Sequence, residues 1–264
     1  MMLVDVNTYI GNYPFRPVRN NTASELVELM NNHNIDKACV SSLNGIYYRD
    51  VMKGNYELLE AIAPYKDRFI PVCNINPTYA GAISDFCECI ESHGFKGVKL
   101  FPKQHGYELK CPKSLELLNK AAEYGVFVQL PFYIEDLRQR HTLDVMFPLS
   151  AQEIKDAIML APNTNFILSN YSFVAFYNDF KNFNEIDRSR IYYDISRIEC
   201  LGKNYIADML KFSNIENLLF GTGAPLEYID VQLVKVVFLK EKLGFTDEQV
   251  EMIMSKNICK LLKQ

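Results

Sequence analysis

Residues 97–131 read GVKLFPKQHGYELKCPKSLELLNKAAEYGVFVQLP. The stretch opens and closes on apolar runs, residues 97–101 and 126–131. Both are continuous rather than alternating, the pattern of strands buried on both faces. Between them, residues 114–124 have helical periodicity, and Gly125 stands where a helix C-terminal glycine belongs. The unit is strand, helix, strand.

The same alternation continues outward in both directions. Further strand-like runs occupy residues 3–9, 37–42, 69–75, 165–170, 191–196 and 218–222, which makes eight in all. Helical windows lie at residues 23–32, 56–64, 80–92, 151–160 and 205–212, and the chain continues with 231–243 and 247–262. Thr22 or Ser24 can cap the first helix and Ser150 the helix from 151, while Thr246-Asp-Glu-Gln249 forms a capping box. Gly94 is a second helix-ending glycine. Eight strands alternating with helices in 264 residues predict a single-domain (β/α)8 TIM barrel spanning residues 1–264. A doubly wound open sheet is the alternative, but no glycine-rich phosphate loop follows the first strand. The longest irregular stretches, residues 11–21, 102–112 and 132–149, each follow the C-terminal end of a strand. That is the face where barrels build their sites.

Composition excludes several classes of function. The chain is 48% hydrophobic and 23% charged, an ordinary globular balance, with a net charge of −4 and no block of like charges. A nucleic-acid or anionic-membrane surface is not expected. No run approaches 18 apolar residues, and MMLVDVNTYIGNYPF lacks the form of a signal peptide. Seven cysteines, an odd number without a C-x-x-C pair, read as reduced thiols of a cytoplasmic protein. A small-molecule substrate is the expected partner. Apolar Val236, Val237 and Phe238 on an outer helix fit either a homo-oligomer contact or packing on the barrel.

The segments VDVNTYIG (4–11), GVKLFP (97–102), GVFVQLPF (125–132), NFILSN (165–170), YYDIS (192–196), LLFGTGAP (218–225) and SKNICKLL (255–262) together resemble the amidohydrolase superfamily. The likeness is strongest to the amidohydrolase-2 branch, related to decarboxylases and lactonases, and runs almost the whole chain. It implies a TIM barrel and a hydrolase carrying zinc. The residues depart from it at the metal. The H-x-H pair that the family places on strand 1 falls on Asn7 and Tyr9, the strand-5 histidine on Pro131, the strand-6 histidine on Asn170, and the strand-8 aspartate on Gly223. Asn and Tyr do not make a zinc site, so no metal and no other cofactor is expected. The loops VNTYIGNYPFRPV (6–18) and YIEDLRQRH (133–141) resemble an amidohydrolase-related subgroup with the same substitutions.

Candidate chemistry gathers at the expected mouth. Of four histidines, His33 and His93 fall at helix ends, where capping is the ordinary role, and His105 and His141 follow strands 4 and 5. Asp136, Arg138 and His141 share one loop, as a proton-transfer pair with its neighbour or as a salt-bridged structure. Arg16, stiffened by Pro14 and Pro17, suits a carboxylate or phosphate, or pins its loop to Asp136 or Asp194. Lys99 lies within a strand, as an electrostatic stabiliser, a Schiff-base amine or the partner of Asp194 or Asp5. Asp5, Asn7 and Tyr9 share strand parity, as do Asp194 and Ser196. Tyr13, Phe15, Phe132, Tyr133, Tyr171 and Phe173 suit an apolar wall.

The expectation is a metal-independent, lactonase-like hydrolase of a small polar or carboxylated substrate, such as a lactone, ester or sugar acid. Lys99, Asp136, His141 and Asp194 are the candidate catalytic residues, and Asn7, Arg16, Arg138, Asn170 and Ser196 the candidate substrate-binding ones. The alternative is a catalytically inactive ligand-binding barrel. A relocated metal site would have to draw on His105, His141, Asp136 and Asp194.

Overall fold

A computed structural model describes residues 2–136, 138–144, 147–170, 188–198, 205–211 and 213–263. Its eight strands are β1 (Val4–Ile10), β2 (Lys37–Ser42), β3 (Phe69–Asn74), β4 (Gly97–Lys99), β5 (Phe127–Pro131), β6 (Phe166–Ser169), β7 (Ile191–Asp194) and β8 (Leu218–Leu219). All neighbours pair in parallel and in sequence order. The ends meet: Val6 N donates to Phe220 O at 2.9 Å, Gly223 N to Asn7 O at 2.8 Å, and Thr8 bridges Ala224. Sequential order with closure is a (β/α)8 barrel. The doubly wound alternative needs a reversal of strand order that is not there.

The helices are α1 (Ala23–Asn32), α2 (Leu43–Tyr47), α3 (Val51–Ile62), α4 (Ala82–Glu91), α5 (Pro102–His105), α6 (Pro112–Tyr124), α7 (Ala151–Leu160), α8 (Tyr205–Met209), α9 (Ile229–Leu243), α10 (Asp247–Glu251) and α11 (Asn257–Leu261). Thr22, Ser150 and Thr246 each close a reciprocal capping box. The last expected helix carries a π-helical turn, Met252–Lys256, between α10 and α11. On α9, Val237 is exposed, whereas Val236 and Phe238 pack on the core. None of the described helices is long and apolar enough to cross a membrane.

Two fillings occupy the barrel. The outward faces of the strands pack on the helices in a large core that includes Ala38, Val40, Val98, Val128, Leu168 and Tyr193. A second cluster, Val4, Val6, Cys39, Ile70, Val72, Phe127, Ile167 and Leu219, fills the lower interior, and Ile258 and Leu261 of α11 close it from below. Gly97 makes room there: a Cβ on it would lie 2.4 Å from the Phe127 ring. The register of β1 against β2 slips by one residue between Asp5 and Thr8. That bulge breaks the alternation expected to give Asp5, Asn7 and Tyr9 a common face. Asp5 accepts instead from Thr222 N (3.0 Å) and Thr222 Oγ1 (2.5 Å), which ties the first strand to the last.

Candidate functional site

Above the apolar layer the interior turns polar, and Asn7 is its hub. The Asn7 amide donates from Nδ2 to Asn170 Oδ1 at 2.8 Å and to Asp194 Oδ2 at 2.9 Å. Its Oδ1 accepts from Lys99 Nζ at 3.2 Å. One amide thus joins residues carried by β1, β4, β7 and the end of β6. Asp194 Oδ1 also accepts from Ser196 N at 3.0 Å and from Ser196 Oγ. Ser196 Oγ lies 3.3 Å from Asn170 Oδ1. Asn170 takes a left-handed backbone (φ 54°), which asparagine tolerates better than most residues, and its Nδ2 donates to Tyr133 O at 3.0 Å. Below, Gln129 Nε2 donates to Ser169 Oγ at 2.6 Å.

Lys99 is 1% exposed. No carboxylate stands within 4.0 Å of its ammonium among the described residues, so neither expected ion pair, with Asp194 or with Asp5, is formed directly. Its Nζ rests 3.9 Å from the centroid of the Tyr9 ring. Burial lowers its pKa to about 7, against the opposing pull of Asp194. Burial raises the carboxyl of Asp194 above its ordinary range and that of Asp5 to about 7. The Tyr9 hydroxyl is buried, and its pKa is driven up by desolvation.

These donors do not fit the zinc that the sequence resemblance implies. Pro131 and Gly223 offer no ligating side chain. The amide oxygens of Asn7 and Asn170 are already engaged by Lys99, Asn7 and Ser196. A divalent cation would also face the Lys99 ammonium. Among the described residues, no three His, Cys, Asp or Glu side chains converge to hold a metal. The relocated set is dispersed: His105 Nε2 bonds Ile46 O at 3.0 Å, and His141 is exposed, stacked on Phe15 at 6.3 Å.

The loop candidates form a separate layer at the rim. Arg16 pins its loop, but to Glu135 rather than to Asp136 or Asp194: its Nε donates to Glu135 Oε2 at 2.5 Å and its Nη2 to Leu226 O at 3.2 Å. Asp136 is held by its neighbour Arg138, Nη2 to Oδ2 at 2.8 Å, and the Arg138 hydrogen bonds hold the Asp136 carboxyl below its ordinary range. Arg16, Asp136, Arg138 and His141 therefore do not join Lys99, Asn7, Asp194, Asn170 and Ser196. Between the layers, Tyr9, Tyr13, Leu43, Ile46, Phe101, Ile134 and Leu226 form an apolar cover. Tyr171 and Phe173 lie outside the described residues.

Three members of this region carry no sequence signal of their own. Arg197, Glu227 and Glu135 are a lone arginine after β7, a glutamate past a proline, and the acid beside the one expected to act. Arg197 Nη2 donates to Glu227 Oε1, its Nη1 stands 3.4 Å from Asp136, and its guanidinium lies 4.6 Å over the Tyr133 ring.

No family model matches the sequence, and no curated protein does. Solved structures match over essentially full length. An amidohydrolase-type protein from Staphylococcus aureus aligns with a TM-score of 0.77 at 18% identity, covering 100% of both chains. The 2,6-dihydroxybenzoate decarboxylase from Rhizobium aligns at 0.71 and 16%, covering 99% of this chain and 98% of its own. A 2-pyrone-4,6-dicarboxylic acid hydrolase-type protein from Acinetobacter baumannii, solved with citric acid bound, aligns at 0.68 and 12%, covering 100% of both.

Proposed function

The chain has the TIM-barrel fold of amidohydrolase-superfamily proteins, and we propose that it is a hydrolase acting without the metal of that superfamily, on a small polar or carboxylated lactone or ester. The observation that carries this reading is the convergence of Lys99, Asn7, Asp194, Asn170 and Ser196 at the mouth. Two primary amides, Asn7 and Asn170, stand at positions the resemblance gives to metal ligands, and a buried amine and a carboxyl of raised pKa adjoin Asn7. In this reading Lys99 stabilises the developing oxyanion. Asp194 accepts the proton of the attacking water, and Asn7 holds the two groups in register. Of the three acids and bases expected to activate water, Asp194 alone lies in this layer. Asp136 and His141 belong to the rim. Lys99, Asn7 and Asp194 are buried, so substrate reaches them once the apolar cover moves. Two of the structural neighbours bear names of enzymes acting on ring-bearing carboxylates, which agrees with the substrate class.

The test is hydrolysis across a panel of lactones, sugar-acid lactones and aryl esters by the full chain, with Lys99→Met and Asp194→Asn as controls. Turnover lost in both variants supports the reading; turnover by none of the panel, with the protein folded, removes it. A second reading, a binding barrel without turnover, is favoured by the Asp194 carboxylate itself. Its two oxygens already accept from Asn7 and twice from Ser196, which occupies the lone pairs that would take a proton from water. Ligand binding with no turnover by any variant selects it.

A further inference from the structure

Lys235 lies on α9 among Leu233, Val236 and Leu239, which pack on the core. It is buried. Taking an ammonium out of water is costly, and packing alone would be served by an apolar side chain. Its Nζ donates to two consecutive carbonyls just past β7, Ile195 O at 2.9 Å and Ser196 O at 2.7 Å. The same turn reaches the polar layer with its other groups. Ser196 N donates to Asp194 Oδ1 at 3.0 Å, and Ser196 Oγ donates to that oxygen as well. Oδ1 is thereby taken by the turn, and Oδ2 is left to Asn7 Nδ2 at 2.9 Å. The backbone beyond β8 crowds the carboxylate from elsewhere: a Cβ on Gly221 would lie 2.9 Å from Asp194 Cβ and 3.1 Å from its Oδ2. The placing of the carboxylate therefore depends on where the turn holds Ser196.

We infer that Lys235 is a positioning residue for Asp194: it anchors the carbonyls of Ile195 and Ser196, so that the Ser196 N–H and hydroxyl hold Asp194 Oδ1 and leave Oδ2 to Asn7. The ammonium acts through the peptide and not through its own charge on the carboxylate. Its meaning for catalysis rests on the proposed role of Asp194 as acceptor of the proton from water. The titratable and charged groups that act on this carboxyl are Lys99 on β4 and Asp5 and Tyr9 on β1. A substitution at Lys235 leaves all three in place. No local pattern marks Lys235 for this task, because the carbonyls it holds lie 40 and 39 residues earlier in the chain.

The test follows the Asp194 carboxyl itself. It is a carboxyl-carbon NMR titration of the full chain, isotopically labelled at aspartate, with the resonance assigned by its loss in Asp194→Asn. The bonds from Ser196 favour the ionised form, so loosening them raises the titration midpoint. Lys235→Met keeps the side-chain length and removes the donors, and should raise the midpoint by about one pH unit. Ser196→Ala removes the hydroxyl and keeps the anchored carbonyl, and should raise it by about half a unit. Both changes act on the same bonds, so the double variant should rise no further than Lys235→Met alone. An unmoved midpoint in folded Lys235→Met overturns the inference. So does a double variant in which the two shifts add, the signature of a direct charge effect. Ser196→Ala is readable even if Lys235→Met does not fold, and an unmoved midpoint there also overturns it. The readout needs no substrate, so its failure is separable from that of the hydrolase. Turnover that needs Asp194, with the midpoint unmoved in Lys235→Met, removes the positioning role alone. A shifted midpoint with no hydrolysis on the panel removes the hydrolase alone.

Discussion

The lower and upper halves of the barrel interior are built by the same strands and filled by opposite chemistry. Below, β1, β2, β3, β5, β6 and β8 contribute Val4, Val6, Cys39, Ile70, Val72, Phe127, Ile167 and Leu219, with α11 as the floor. Above, β1 contributes Asn7, β4 Lys99 and β7 Asp194, joined by hydrogen bonds across the cavity. The lower layer gains by removing apolar surface from water. The upper layer buries a lysine without an adjacent carboxylate and an aspartate with a raised pKa, which lowers stability rather than adding to it. The contrast teaches where the fold is held and where polar and charged groups are kept buried at the fold's expense.

The largest effect expected is on the lower layer. Phe127→Ala should destabilise by about 3–5 kcal/mol in denaturant titration, the usual cost of emptying a buried aromatic site. A cost below about 1 kcal/mol would show that this layer does not hold the barrel. Lys99→Met tests the upper layer from the other side. Turnover should fall by about 10²-fold or more, while stability changes by less than about 1 kcal/mol or rises, because a solitary buried charge is exchanged for an apolar chain of similar length. A large loss of stability with turnover intact would reverse the roles of the layers.

Gly97→Ala comes next, at about 1–3 kcal/mol, since its Cβ would meet the Phe127 ring at 2.4 Å. In a Phe127→Ala background most of that cost should vanish, which a double-mutant cycle reads directly.

Smaller still is a pH effect with opposite signs on the two sides of neutrality. Asp5 has its folded pKa raised to about 7, so from about pH 4 to 7 the folded state holds a proton that the unfolded state has lost, and stability falls as pH rises. Lys99 has its folded pKa lowered to about 7, so from about pH 7 to 10 the unfolded state holds the extra proton, and stability rises with pH. Each slope is at most about 1.4 kcal/mol per pH unit. Urea titrations across this range should show a minimum near neutrality. Asp5→Asn should flatten the acid side and Lys99→Met the alkaline side, and identical slopes in the variants would refute the assignment. Smallest of all, His141→Ala at the exposed rim should alter stability and turnover by less than about 0.5 kcal/mol; a large loss of turnover would move the chemistry up from the polar layer.

How much of this could be read from sequence follows the same division. The barrel was legible because each strand is a continuous apolar run: residues 37–42 were expected and Lys37–Ser42 is observed. The windows 23–32 and 151–160 fall on Ala23–Asn32 and Ala151–Leu160. Strands ended early where their last residues leave the ladder for the mouth, as at Gly97–Lys99 and Leu218–Leu219. The short helices α2 and α5 went unseen because four or five residues show no period. At the site, Lys99 and Asp194 were reachable because they end β4 and β7, Asn7 because it lies within β1, and Asn170 and Ser196 because they follow β6 and β7 within two residues. Arg197 was not, since nothing local marks it and its meaning comes from Glu227, Asp136 and Tyr133, all distant in the chain. The β1 bulge was likewise invisible, because register is a property of two strands and not of one.

The Asn7 hub has a kinetic consequence. Its partners Asn170 and Asp194 lie 163 and 187 residues further along the chain. At a synthesis rate of roughly 5–20 residues per second, β1 waits on the order of ten seconds or more for them. Pairings of such long sequence separation are slow to close. The apolar runs can collapse without them, but the contacts of the Asn7 amide with Asn170 and with the Asp194 carboxylate cannot form until these distant segments have met. The polar layer therefore penalises a barrel closed in the wrong order, which leaves a buried amide and a buried carboxylate without partners.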